Sequence, residues 1–136
     1  GPVGHSESEW TIRPHVGGDC GGASLHGERS ICAHIPDFST EANKDLAYGQ
    51  LIAAYCSALD LVGEGSSLAV VPLPPTGARG AERAESLLEV VVEAVWTRAR
   101  AEAVVTVMVE EVEEWDAALA CANRLSQAGL QPGTSG

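Results

Sequence analysis

Aromatic residues are scarce in this sequence, because Phe, Trp and Tyr together make up 4% of its 136 residues. A hydrophobic core must therefore be built from Ala, Val and Leu. Hydrophobic residues still make up 45% of the chain, so this scarcity does not indicate disorder. The length suits one domain that buries a core of its own.

Basic residues are also few. The chain has 8 Lys and Arg residues against 19 Asp and Glu residues, which gives a formal net charge of -11. A surface of this sign repels phosphate backbones, so we expect no general binding of nucleic acid. A local basic spot could still hold one small anion, while most of the charge serves solubility.

The sequence lacks the patterns of disulfide-rich, zinc-binding and membrane-spanning proteins. Its cysteines, Cys20, Cys32, Cys56 and Cys121, form no CxxC pair and no Cys/His cluster. No apolar run reaches the roughly 18 residues that a membrane-spanning helix needs, and no signal peptide is visible. We therefore expect an intracellular protein of the cytoplasm or nucleus, with no metal, no cofactor and no membrane partner.

Both ends of the chain are predicted to lie outside the folded domain. Gly1-Pro2 resembles the pair left when a protease removes a tag, so residues 1–8 are predicted to be a tag remnant and disordered start. Residues 130–136 are predicted to be a disordered tail. The remaining residues, 9–129, form the predicted α/β domain.

The first third of the chain is rich in glycine and contains two short strand patterns. Residues 10–16 are predicted to form an edge strand, because Pro14 cannot donate a hydrogen bond to a neighbouring strand. Residues 17–22 indicate a surface loop. Residues 30–35, closed by Pro36, predict a second strand.

The rest of the chain alternates between helix and strand patterns. Ser39 or Thr40 could cap a helix that ends near residue 62. The continuous apolar run 67–73 predicts a strand buried on both faces. A helix over residues 81–101, a buried strand over 103–109 and a helix over 112–128, ended by Gly129, follow.

Each predicted helix carries an apolar stripe at helical spacing. The stripes comprise Leu51, Tyr55, Ala58, Leu59 and Val62, then Ala84, Leu87, Leu88, Val91, Val92 and Val95, and finally Trp115, Ala118, Leu119, Ala122 and Leu125. Cys56 and Cys121 fall in the same patterns and are predicted to be small core residues. The alternation implies an α/β sandwich with some parallel strand pairs.

Residues 74–80 connect the predicted buried strand to the second helix and form the first candidate site. Ligands bind outside the carboxyl ends of strands in open α/β sheets, and helix N-termini favour anions. Gly77 and Gly80 would let the backbone approach a ligand closely, and Arg79 could pair with a phosphate. The same residues are also compatible with an ordinary turn between a strand and a helix.

From Leu51 to about Leu125 the sequence resembles the second half of a macro domain. The resemblance rests on the helix from Leu51, the run 67–73 followed by Thr76-Gly77 and Gly80, and the order of the later strand and helix. It implies a three-layer α/β sandwich, a mixed sheet with helices on both faces. In that family a Thr-Gly or Ser-Gly step opens the loop that cradles the diphosphate of ADP-ribose. The implied ligand-binding residues are Thr76, Gly77, Ala78, Arg79 and Gly80.

The first half of the chain departs from that family. It contains no Asn-Ala-Ala-Asn segment and no glycine-rich first loop. Two registers are open: residues 17–20 could match the step whose Asp binds adenine, or residues 31–36 could match the strand after the first loop. Arg79 stands where the family often has an aromatic residue. Because first-half residues position the hydrolytic water in this family, the departures imply lost turnover.

No other catalytic arrangement is evident in the sequence. His5, His15, His26 and His34 are scattered through the first part without an HExxH motif. The acidic run 110–114 predicts a solvated helix entrance, where carboxylates complement the helix dipole. A cation site there would need a converging third ligand. We therefore assign no catalytic residue and lean against an enzyme.

These features favour a degenerate macro-like domain that acts as a protein-interaction module with little or no ADP-ribose turnover. An exposed apolar patch is then expected, and a protein partner or a second copy of the chain would cover it. The first alternative is an ADP-ribose-binding reader of ADP-ribosylated proteins. The second is an ADP-ribosyl hydrolase.

Overall fold

A computed structural model describes residues 9–63, 66–99 and 104–130, and the predictions for residues 1–8 and 131–136 lie outside these ranges. Nine elements follow one another within these ranges. They are β1 Trp10–Val16, β2 Ala23–Leu25, β3 Ser30–Ile35, α1 Lys44–Asp60, β4 Leu68–Val70, α2 Thr76–Arg79, α3 Ala84–Arg98, β5 Val105–Val107 and α4 Val112–Gln127.

The strands form one mixed sheet in the order β2-β3-β1-β4-β5. β1 pairs in parallel with β3 and β4, β4 pairs in parallel with β5, and β2 is antiparallel to β3. The α/β class and the parallel pairing predicted from the alternation are confirmed. β4 lies inside the sheet with all three residues buried, as its apolar run predicts.

The prediction that β1 is an edge strand was wrong, because β1 lies at the centre of the sheet. Its even-numbered residues direct their backbone groups toward β4: Trp10 N donates to Ser67 O, and Ile12 O accepts from Val71 N. The backbone nitrogen of Pro14, which carries no hydrogen, therefore faces the β4 side as well. The pairing with β4 has already ended at Ile12. The proline is tolerated because no strand faces it on that side.

The two outer strands also differ from the predictions. β2 was not predicted, since its three residues are mostly exposed and show no clear alternation. β5 was predicted as a buried strand over residues 103–109, but it is an outer strand of three residues with Thr106 exposed. An apolar run does not distinguish an inner strand from an outer one, because that depends on which strands pair.

The core lies between one face of the sheet and the helices α1 and α3. Ile12, Ile31 and Val70 share a row across the sheet and are fully buried against residues of α1 and α3. α4 packs beside α3 through a smaller apolar cluster that contains Leu88 and Cys121. The predicted stripes of α1 and α3 are confirmed, although a few of their residues are only half-buried. Those residues are Leu59, Val62 and Ala84.

The opposite face of the sheet is more polar and less buried. By alternation it carries Arg13 and His15, which are exposed, and Cys32 and His34, which are half-buried. Helices α1, α3 and α4 all contribute to the apolar clusters of the first face. Helices on both faces, the three-layer part of the prediction, are therefore not confirmed within the described residues.

α1 begins later than predicted. Its cap is Asn43, whose Oδ1 accepts a hydrogen bond from Leu46 N at 3.1 Å, and not Ser39 or Thr40. The carboxylate of Asp37 instead accepts from both the backbone N–H and the hydroxyl of Ser39, which holds a turn before the helix. These hydrogen bonds hold the pKa of Asp37 below its usual value.

α4 ends as predicted at a glycine with a left-handed backbone. Gly129 has φ +82°, and Leu130 N donates to Leu125 O at 3.1 Å. The Leu130 carbonyl in turn accepts from Trp96 Nε1 at 3.2 Å, which joins the end of α4 to α3. None of the helices in the described ranges is long and apolar enough to cross a membrane.

Tyr55 connects α1 to the chain that leaves β4. Its side chain is fully buried, and its hydroxyl donates to Val71 O at 2.6 Å. Burial raises the pKa of Tyr55 far above its usual value, so the hydroxyl stays a neutral donor. The bond positions the backbone just before the first candidate site.

Replacing Tyr55 with Phe should lower the free energy of unfolding by about 1–3 kcal/mol, because the Val71 carbonyl loses its buried donor. Urea denaturation followed by circular dichroism measures this. Tyr48→Phe is the matched control: its hydroxyl donates to Glu82, whose carboxylate can turn to water. A loss in the control equal to that in Tyr55→Phe would contradict the assignment.

Candidate functional site

Residues 76–80, the predicted diphosphate loop, lie beyond the carboxyl end of β4. Thr76 to Arg79 form the short helix α2, and Gly80 leads through residues 81–83 to α3. The second predicted helix therefore begins three residues later than expected. Thr76 and Gly77 are exposed, Arg79 is half-buried and Ala78 is buried. Four of the five predicted residues thus form one turn of helix, and Gly80 ends it.

The two glycines of this loop have different roles. A Cβ atom at Gly80 would lie 2.8 Å from Ser39 Cα and 3.1 Å from Phe38 O, and Gly80 has φ +60°. Gly80 is therefore needed for close packing against the turn before α1. A Cβ atom at Gly77 would have nothing within 4 Å. Only Gly77 meets the expectation of a backbone that a ligand could approach.

Arg79 turns back onto its own loop. Its Nη2 donates to Thr76 Oγ1 at 3.3 Å. Its Nε is buried and has no hydrogen-bond partner within the described ranges. The guanidinium therefore keeps an unused donor beside the loop, but this donor is buried, so an anion would reach it only after the Arg79 side chain moves.

A cleft of about 300 Å³ opens beside this loop. It lies past the carboxyl ends of β4 and β5, where α/β sheets bind ligands, and beside Arg13 and Pro14 of β1. Arg13 and Arg79 supply positive charge to its lining, but Glu110 and Glu114 also line it. The two carboxyl groups oppose the binding of a diphosphate, so the cleft is less favourable for an anion than the sequence implied.

The acidic run 110–114 stabilises the start of α4. Glu111 and Glu114 form a capping box. The Glu111 side chain accepts a hydrogen bond from the backbone N–H of Glu114, and the Glu114 side chain accepts one from the backbone N–H of Glu111. Glu114 Oε2 also accepts from Glu110 N at 3.2 Å. The run is a helix entrance as predicted, but Glu114 is buried rather than solvated. Among the described residues, no group of His, Cys, Asp or Glu could hold a metal ion.

A larger cavity of about 500 Å³ lies between α3, α4 and β5, and we call it the β5 groove. It exists because α4 packs on α3 while standing away from the outer strand. Within the described ranges, its lining residues are apolar apart from Thr106. Residues that line it include Val95, Trp96, Val105, Val107, Trp115 and Leu119.

The apolar stripe of α4 borders this groove instead of the core. Trp115 is 57% exposed and Leu119 is 49% exposed. The predicted shared face of α4 is present, but Leu125 is the one member of that stripe that is buried. Cys121, from the adjacent face, is buried as predicted, whereas Cys56 is half-buried. Spacing identifies a face of a helix but not what covers it.

Comparison of the chain with protein-family models, with curated proteins and with solved structures gave no match. The resemblance to macro domains therefore stays a prediction. The fold places the chain in the α/β class. Any functional assignment rests on the geometry of the loop, the cleft and the β5 groove.

Replacing Gly80 with Ala should lower the free energy of unfolding by about 1–3 kcal/mol, because the new Cβ meets backbone and the left-handed φ is strained. Gly77→Ala is the control within the same loop, and we expect it to be neutral or slightly stabilising. Thermal unfolding of both variants measures the difference. Equal stability of the two would show that Gly80 does not hold the loop against the turn.

Proposed function

We propose that this chain is a protein-interaction domain that binds an apolar segment of a partner in the β5 groove. The observation that carries the proposal is the exposed apolar stripe of α4 beside a groove of about 500 Å³. Exposed apolar patches of this kind mark interaction sites. Trp115 and Trp96 on its walls are of the residue type most enriched at the energetic centres of interfaces.

The character of the groove suits binding more than catalysis. Among the residues that the structure describes, its lining contains no carboxylate, imidazole or thiol, whereas shape and apolar area suffice for association. This agrees with the sequence-based hypothesis of a degenerate macro-like domain that no longer turns over ADP-ribose. A protein partner or a second copy of the chain would each satisfy the apolar walls.

Selection of peptides from a random displayed library tests this proposal. Peptides enriched on the wild-type chain should bind Leu119→Glu at least about tenfold more weakly, because a buried carboxylate would replace an apolar contact. Their binding should also shift the fluorescence of Trp96 and Trp115, which both line the groove.

Ile52→Glu is the matched control for Leu119→Glu. Ile52 lies on α1, away from the groove, and at 42% its exposure is close to that of Leu119. The control should bind the selected peptides as the wild type does. Peptides that bind Leu119→Glu and wild type equally, or that lose binding to both variants alike, would contradict the proposal.

An ADP-ribose reader is the second candidate function, and the unused Nε donor of Arg79 beside an open cleft favours it. Titration calorimetry with ADP-ribose tests this candidate. We expect wild-type heats to be abolished in Gly77→Glu, because the carboxylate would repel a diphosphate. Gly77 faces open space, so this variant should fold normally. Equal affinity of the variant and the wild type, or no wild-type binding, would remove this candidate and the hydrolase alternative with it.

A further inference from the structure

β5 presents backbone hydrogen-bonding groups at the edge of the described sheet. Leu68 N donates to Val104 O, and Met108 N donates to Val70 O. The even-numbered residues around β5 thus direct their backbone groups toward β4. By the alternation of a strand, Val105 and Val107 direct their N–H and C=O groups to the other side, where the described sheet ends. An additional extended chain could pair with these groups.

Apolar side chains flank this edge on both faces of the sheet. Val105 and Val107 line the β5 groove, while Val104 and Met108 lie on the opposite face and are 67% and 48% exposed. The alternating side chains of an added strand would cover both sets. A helix docked in the groove would cover only the first set. The geometry therefore favours an extended occupant.

The edge also lacks the usual protection against strand addition. Residues 103–109 contain no charged residue and no Pro. Exposed edge strands in natural proteins commonly carry Lys, Pro or an inward-pointing charge that blocks pairing. An edge without these devices is expected to be covered in the working protein.

The ends of this sequence are poorly suited to cover the edge. Residues 1–8 contain one Val and one Pro as apolar side chains, and residues 131–136 contain one Pro. An added strand needs several apolar residues at alternate positions to fill the groove, and further side chains at the intervening positions to cover Val104 and Met108. The occupant is therefore a segment from outside this sequence.

Charge distinguishes a partner from a second copy of the chain. Each copy carries a net charge of -11, and the exposed residues Glu110, Glu111 and Glu113 come directly after the β5 edge. Two copies joined along β5 would bring together two chains of strong negative charge, and like charges across an interface are unfavourable. Lys or Arg residues at the ends of a partner segment would meet them favourably.

The basic residues of the adjoining helices do not cancel this acidic charge. Arg98 forms an ion pair with Asp60 at 2.8 Å, and Arg124 lies 3.9 Å from Glu89. Both are thus already next to carboxylates of their own chain. In the segment that follows β5, Glu110 shares the cleft with Arg13 and Arg79, whereas the exposed Glu111 and Glu113 do not line that cleft.

We infer that β5 is the docking edge for an extended segment of another protein, apolar at alternate positions and flanked by Lys or Arg. The inference rests on the proposed function of the β5 groove and specifies the conformation and charge of its occupant. The segment would add a sixth strand, with one set of side chains in the groove and the other over Val104 and Met108. Five residues at about 3.3 Å each would span the apolar edge.

The test uses the full chain and a fluorescein-labelled peptide with a Val-Thr-Val-Thr-Val core and two lysines at each end. Fluorescence anisotropy measures its affinity against the same core flanked by glutamates. We expect the lysine form to bind at least about tenfold more tightly at low salt, with the difference shrinking as salt is added. Leu119→Glu should weaken both peptides, and Ile52→Glu should weaken neither.

N-methylation of the peptide backbone tests strand pairing without changing the protein. Methylating one alternate set of core amides should weaken binding at least about tenfold, because those amides face β5, while methylating the other set should have little effect. Val107→Pro makes the complementary change in the protein, since it removes a donor that faces the free edge and not β4. If that variant does not fold, the methylated peptides still decide the question.

Several outcomes would overturn the inference while leaving the proposed function intact. One is peptide binding that is sensitive to Leu119→Glu but indifferent to flanking charge, or to which amides are methylated. Another is absence of binding by the lysine peptide when library-selected peptides do bind the groove. A third is a dimer of the chain alone, seen in sedimentation, that Leu119→Glu dissociates and the lysine peptide does not, because a second copy would then be the occupant.

Discussion

The pairing of β1 with β3 on one side and with β4 on the other is the constraint from which the rest of this structure follows. It places Ile12, Ile31 and Val70 in one buried row, and α1 and α3 pack on that row. Because β4 is held inside the sheet, the chain that leaves it emerges at the carboxyl edge, and Tyr55 hydrogen-bonds to it there. The candidate loop, the cleft beside it and the position of β5 all depend on this arrangement.

The β5 groove exists because α4 packs closely against α3 but not against β5. That helix buries Cys121 and Leu125 against α3, and its Glu114 caps its own entrance. Its remaining apolar residues then border the outer strand without covering it. In the interaction domain that we propose, the acidic character of the chain would select the charge of what binds. The apolar edge would attract an occupant, and the negative charge of each copy would disfavour a second copy in that place.

The sequence predicted where helices and strands occur better than it predicted which of them lie side by side. The strand at residues 67–73, the apolar stripe of α3 and the glycine end of α4 were all recognised, because each depends on local spacing or backbone conformation. Pro14 was misinterpreted because a proline blocks a strand only where a partner faces it, and its partner has already ended. Asn43 was not predicted as the cap, because the turn that Asp37 stabilises moves the start of the helix further along the chain. Gly80 suggested a ligand contact, but the backbone of Ser39 lies beside it.

The amino-acid sequence by itself determined the α/β class, the order of most strands and helices, the acidic charge and the presence of an apolar face on α4. These properties are set by composition, by periodicity and by residues close together in the chain. Only the tertiary structure decided that β1 is central, that β5 is at the edge and that Trp115 borders a groove rather than the core. The reason is that pairing between distant strands and packing between helices determine which apolar faces are covered, and neither depends on local sequence alone.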